Sequence, residues 1–180
     1  YNEANTIIEN VESLLSIEYP QFEIIVVNDG STDETLEKLI QRFALKKTTR
    51  VFRRLLLSRS IRGIYSSSSH PKLVVLDKEN GGKADALNAG LNVAQYPLFC
   101  AIDSDSLLEK DSLLKMVRPF LEDPERTQAA GGVIRLSNGC RVKSGQVVSI
   151  GLPRNALARF QIIEYFRAFL GGRLGVSILR

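Results

Sequence analysis

Phe22-Glu23-Ile24-Ile25-Val26-Val27-Asn28-Asp29-Gly30-Ser31-Thr32-Asp33 sets the fold of this chain. Phe22 to Val27 is a short apolar, β-branched run that predicts a buried strand, and Asn28-Asp29-Gly30 closes it with a turn. Ser31 or Thr32 can cap a following helix that runs to about Phe43. Asp33 and Glu34 then fall in its first turn, where carboxylates favour the positive end of the helix dipole.

The same order repeats on either side. Upstream, Ile7, Ile8, Val11, Leu14 and Leu15 stand at helical spacing within residues 5–17. Downstream, Leu73 to Asp77 predicts a second strand, Gly81 and Gly82 open a helix over Ala84 to Val93, and Leu98 to Ile102 predicts another buried strand. Asp111 to Leu121 is an amphipathic helix, Ala130 to Leu136 one more strand, Val147 to Ile150 a short strand, and Asn155 to Leu170 a final helix rich in aromatics. Residues 45–71, with the run Ser66-Ser67-Ser68-Ser69, are expected to be a long basic connector, in part flexible. Lone His70 beside that run is expected in solvent. Alternating strands and helices argue for an α/β fold, a mainly parallel sheet covered on both faces.

With 180 residues and 44% hydrophobic composition, the chain can bury one sizeable core. Cys100 and Cys140 lie far apart without a CxxC pair or a neighbouring His, so neither a disulfide framework nor a zinc site is suggested, and a reducing, cytosolic setting fits. No apolar run is long enough to span a membrane or serve as a signal peptide. The start at Tyr1, without Met, leads to the expectation of a soluble fragment truncated at both ends. Charge is segregated: residues 1–37 hold nine acids and no base, residues 38–76 ten bases and no acid. The basic stretch is either a solvated face or a patch that meets phosphates or anionic lipid. No aromatic interleaving supports a nucleic-acid partner.

In an open α/β sheet, ligands bind at the carboxyl ends of strands, and three such ends here carry chemistry. Asp103 and Asp105 flank one residue after the third run. A turn there aims both carboxylates into one crevice, where like charges are costly unless a cation lies between them. Oxygen ligands point to a hard ion, Mn2+ or Mg2+, completed by water and phosphate oxygens. A helix cap before Leu107 is the competing reading of the same triplet. Gly81-Gly82-Lys83 offers backbone for close approach and one ammonium near a helix start, which suits a diphosphate, although a Gly-rich turn with a solvated Lys is equally compatible. Asp29 can accept from a base or ribose, or form the turn that caps the next helix. Phe160, Tyr165, Phe166 and Phe169 form a stripe near Arg159, Arg167 and Arg173, compatible with a membrane surface or with a helix docked on protein.

Four motifs in order resemble the inverting family 2 glycosyltransferases of the GT-A fold, Rossmann-like transferases of nucleotide-diphospho-sugars. The likeness is greatest to the membrane-bound synthases of cellulose, chitin, hyaluronan and poly-N-acetylglucosamine. Tyr1-Asn2-Glu3 looks like the first motif and Val26 to Asp33 the second; Asn80 to Gly90 looks like the third and Ile102 to Ser106 the metal motif. The resemblance implies that Tyr1, Glu3 and Asp29 face uridine, Lys83 the diphosphate or sugar, Asp103 the nucleotide and metal, and Asp105 the metal. It implies a UDP-sugar donor, with UDP-N-acetylglucosamine favoured, and inverting transfer to a growing polysaccharide acceptor. The parent would act at the cytoplasmic face of the plasma membrane, held there by parts missing from this chain or by helix 155–170. Residues 1–150 are expected to form the nucleotide-sugar-binding domain and 151–180 a helical segment leading to the missing acceptor part. The catalytic base has no counterpart here and is expected outside the chain. Two other readings remain at this point: a binding module without turnover, and a sugar nucleotidyltransferase.

Overall fold

The computed structural model describes residues 1–104, 106–132, 137, 139–143 and 146–168. The chain divides into two compact units, Tyr1–Leu108 and Glu109–Arg180, so the boundary expected at residue 150 falls within the second.

In the first unit the order is α1 (Ile7–Leu15), β1 (Ile24–Asp29), α2 (Thr35–Phe43), β2 (Lys46–Thr48), β3 (Ile61–Ser66), β4 (Leu73–Lys78) and α3 (Lys83–Val93). The strands form one sheet in the order β1-β4-β3-β2. β1 and β4 are parallel and in register from Ile24 opposite Leu73 to Asp29 opposite Lys78. β3 runs antiparallel to both β4 and β2. The α/β class is as expected, and the sheet is mixed because the basic segment supplies β2 and β3 where a connector was expected. His70 is likewise not a solvated residue: it is half-buried, with its ring edge-on to Phe43 at 5.2 Å between centroids.

Alternation along β4 explains why both sheet faces are covered, since successive side chains point to opposite sides. Leu73 and Val75 join Ile7 and Val11 of α1, Ile24 of β1, Leu39 and Phe43 of α2, and Leu45 in one cluster. Val74 and Leu76 join Ile64 of β3 and Val93 of α3 in the other, with Phe52 and Ile61 packed against it. Fully burying each such side chain is worth about 1.5–3 kcal/mol, so β4 is the main tie between layers.

Side chains of α3 organise the segment between β2 and β3. Asn92 Oδ1 accepts from the amides of Leu55 (3.0 Å) and Leu56 (2.8 Å), while its Nδ2 donates to Leu56 O (2.8 Å). One turn earlier Asn88 Nδ2 donates to Leu57 O (2.9 Å), and the Asp85 carboxylate accepts from the Arg59 amide (2.9 and 3.1 Å). Spacings of three and four residues put these groups on one helix face. At the near end, Arg50 pairs with Glu23 at 2.8 Å, both largely buried.

The buried strand expected over Leu98–Ile102 does not form. Among the described residues this stretch has no ladder partner, and Leu98 and Phe99 are exposed. An apolar run becomes a strand only where another strand takes up its N–H and C=O groups.

The second unit contains α4 (Ser112–Glu122), the antiparallel pair β5 (Arg141–Lys143) and β6 (Gln146–Ser149), and α5 (Ala156–Arg167). Asn155 caps α5 by accepting from the Leu157 amide at 2.8 Å. Leu157, Phe160, Ile163 and Phe166 of α5 are exposed. The strand expected over Ala130–Leu136 and the helix beyond Ala168 fall largely outside the described residues. Among those described, no helix is long and apolar enough to cross a membrane.

Candidate functional site

The loops after the strands of the first unit are joined in sequence order. Tyr1-Asn2-Glu3 is stitched to the loop after β1: the Asn2 amide donates to Ser31 Oγ (2.9 Å), and the Thr32 amide donates to Asn2 Oδ1 (2.9 Å). The Glu3 amide donates to Thr35 Oγ1 (2.9 Å) and the Ala4 amide to Asp33 Oδ2 (3.1 Å). Asn2 adopts a left-handed φ of 56°, which Asn tolerates better than most residues. Ser31 and Thr32, expected to cap α2, therefore hold the N-terminal segment. Asp33 supports the start of α2 by accepting from the Thr35 amide at 3.0 Å. The Thr35 hydroxyl, more than any other group, holds the Asp33 carboxyl below its usual range.

The loop after β1 is joined to the loop after β4 through Asp29. This residue is 5% exposed, and its carboxylate accepts from the amides of Gly81 (3.0 Å) and Gly82 (2.7 Å) and from the Lys78 ammonium. Lys78 has no exposed surface and also meets Asp85 at 2.6 Å. Burial pushes the Asp29 carboxyl up, but Lys78 and the two amides outweigh it and hold the carboxyl below its usual value. Burial likewise opposes the charge on Lys78, and Asp29 and Asp85 overcome it, raising the ammonium's pKa. The amides of Gly81 and Gly82, which the sequence offered to a diphosphate, are thus spent on Asp29.

Two glycines make this junction feasible. Gly30 has φ +67°, and a Cβ there would lie 2.7 Å from the Asn80 amide nitrogen. A Cβ on Gly81 would lie 2.5 Å from the Asp85 carboxyl carbon. Asn80 Nδ2 donates to Asp29 O at 2.7 Å across the same gap.

The last link is between Lys83, at the start of α3, and Asp103, whose groups form an ion pair. Their side chains are 73% and 59% exposed. An exposed pair of this kind is worth about 0–1 kcal/mol, so either partner is cheaply released to an incoming phosphate or cation. Asp105 lies outside the described residues, and among those described no group of three or more His, Cys, Asp or Glu side chains is gathered around a common point. The Asp103 carboxylate is an exposed hard oxygen donor of the kind Mn2+ or Mg2+ takes, and a cation binding there would have to displace the Lys83 ammonium that now neutralises it.

The structure thus brings Tyr1 and Glu3 to the loop that follows Asp29, Asp29 to the turn that precedes Lys83, and Lys83 to Asp103. Sequence reasoning missed Lys78 and Asp85. A lysine at the end of an apolar strand resembles any strand-terminal surface charge, and only the parallel register with Asp29 shows it to be interior.

Polar loops gathered at the carboxyl edge of parallel strands define an α/β ligand-binding unit. The family model described as glycosyl transferase family 2 matches residues 1–55 and 58–167, and the chain belongs to that family. Among its relatives is a poly-beta-1,6-N-acetyl-D-glucosamine synthase of Staphylococcus epidermidis, 31% identical over 132 residues, which are 73% of this chain and 26% of the relative. A synthase of the same name from Staphylococcus aureus is 30% identical over the same shares. The chain therefore spans about a quarter of the length of these relatives. No solved structure matches.

Proposed function

We propose that this chain is the donor-binding part of a glycosyltransferase that uses a UDP-sugar, UDP-N-acetylglucosamine first among candidates, and extends a polysaccharide with inversion at the sugar. The observation that carries this reading is the continuous linkage of Tyr1-Asn2-Glu3, the Asp29 loop, Gly81-Gly82-Lys83 and Asp103 along one sheet edge. Tyr1 and Glu3 face the uridine above Asp29. The Asp29 carboxylate is already occupied by protein donors, so its larger part is to hold the Gly81-Gly82 turn that presents Lys83.

Asp103 and Asp105 would hold Mn2+ or Mg2+, which neutralises the leaving diphosphate when bound. Lys83 contributes a second positive charge at the same diphosphate. An acceptor hydroxyl then displaces UDP from the sugar carbon, and its proton passes to a base supplied by the rest of the enzyme. In this reading the parent protein acts at the cytoplasmic face of the plasma membrane, the side on which a UDP-sugar would be supplied.

Calorimetry with UDP and Mn2+, alongside measurement of UDP release from UDP-N-acetylglucosamine, tests the reading. Binding that Asp105→Ala abolishes supports it. Binding without release shows that this chain is the module and not the whole catalyst, and failure to bind UDP with either metal overturns it.

A further inference from the structure

We propose that Val51–Arg59 is a contact surface for an anionic lipid bilayer. Val51, Leu55 and Leu57 are 96%, 81% and 88% exposed, an unusual burden of aliphatic surface for one short stretch. Arg53, Arg54 and Arg59 stand among them, all exposed. No acid occurs anywhere from residue 38 to residue 76.

These leucines are displayed by a fixed backbone. Asn92 takes both the amide and the carbonyl of Leu56, Asn88 takes the carbonyl of Leu57, and Asp85 takes the amide of Arg59. The Arg54 guanidinium closes the turn on Ser58 O. Phe52 packs on the apolar cluster beneath β3 and anchors the near end. The main chain faces the protein, while Leu55 and Leu57, two residues apart, face solvent. The family match skips residues 56–57 inside its span, so the tip of this stretch lies outside the matched pattern.

Aliphatic tips ringed by arginines suit a membrane interface: the tips enter the acyl boundary while the guanidinium groups meet phosphate headgroups. A nucleic acid would meet the same charges but give the leucines nothing to bury against, and no exposed aromatic here offers a stacking surface. The proposal is independent of what the strand-end site binds.

The test is sedimentation of the full chain with vesicles of phosphatidylglycerol and phosphatidylcholine in equal parts, against vesicles of phosphatidylcholine alone. The wild type is expected to partition to the anionic vesicles, and Leu55→Ser/Leu57→Ser and Arg53→Glu/Arg54→Glu each to weaken it on the order of ten-fold or more. Phe160→Ser/Phe166→Ser, on α5, is expected to retain the loop's contribution. Because the chain has no Trp, Leu57→Trp provides a single fluorophore whose emission should shift to the blue with anionic vesicles. Equal partition of loop variants and wild type, equal partition to neutral vesicles, or an unshifted Leu57→Trp emission overturns the proposal.

Discussion

Asp29 and Lys78 end the adjacent parallel strands β1 and β4 at the same register, and their charges meet in the interior. Asp85 completes the group from the first turn of α3, so one lysine with no solvent contact serves two carboxylates. Charges buried this deeply are tolerable only when paired and hydrogen-bonded, and breaking such a set by deleting one member costs far more than its formation gains.

Lys78→Met should lower the unfolding free energy by about 3–5 kcal/mol, because it leaves Asp29 charged and buried beside an apolar chain. Urea unfolding of the variant against wild type measures this. A loss no greater than that of an exposed-lysine control such as Lys46→Met would rule out the interior pairing.

The same group predicts an acid limb. Asp29 and Asp85 have folded pKa values below their ordinary 3.8, so the unfolded chain binds protons first as pH falls. Their stabilisation is present above about pH 4 and lost as pH drops through the lower folded values. Lys78 has a folded pKa above 10.5, so its contribution is complete below that pH and lost as pH rises through the folded value. Unfolding free energies at pH 3 and pH 6 should therefore differ in wild type, and less so in Lys78→Met, where Asp29 no longer has its cation.

Gly30→Ala should cost about 1–3 kcal/mol from backbone strain, with displacement of Asn80 in addition. Since Asn80 and Gly81 lead to Lys83, UDP affinity should fall in the same variant. Retained affinity with lost stability would show that the close approach serves folding alone.

Lys83→Ala should leave stability within about 0.5 kcal/mol of wild type, as expected for an exposed side chain. UDP binding in the presence of Mn2+ should weaken about ten-fold or more, a change worth about 1.4 kcal/mol. Titration calorimetry and thermal unfolding on the same preparation separate the two effects.

Asn92→Ala removes three hydrogen bonds to Leu55 and Leu56. Trypsin should then cut after Arg53, Arg54 and Arg59 markedly faster, while the remaining fold resists. Unchanged cutting would show that Asn88 and Asp85 suffice to hold the segment.

The strands and helices that carry the strand-end loops were legible because their signals are local. Ile24 to Val27 and Leu73 to Leu76 are β-branched or aliphatic runs closed by polar turns, and Leu36, Leu39, Ile40 and Phe43 recur at helical spacing. β2 was not legible, since Lys46-Lys47-Thr48 is exposed at every position and owes its conformation to β3 alone. β3 was obscured by Gly63 and Arg62 within its apolar pattern. Leu98 to Ile102 had the right composition but, among the described residues, no partner. Tyr1, Glu3, Asp29, Lys83 and Asp103 were nominated from spacing and resemblance, and the structure links their segments edge to edge. Lys78 could be found only once the register of two distant strands was known.

Gly30 and Asn80, 50 residues apart in sequence, lie so close that a Cβ on Gly30 would strike the Asn80 main chain. Sites whose main chains interlock in this way do not accept substitutions one at a time, since each loop is the mould of the other. Recombination between relatives that crosses the segment from Gly30 to Asn80 will succeed only where both loops come from the same parent. The side chains of Tyr1, Lys83 and Asp103 are exposed, so exchanging one of them leaves that interlock intact and changes only what the site binds.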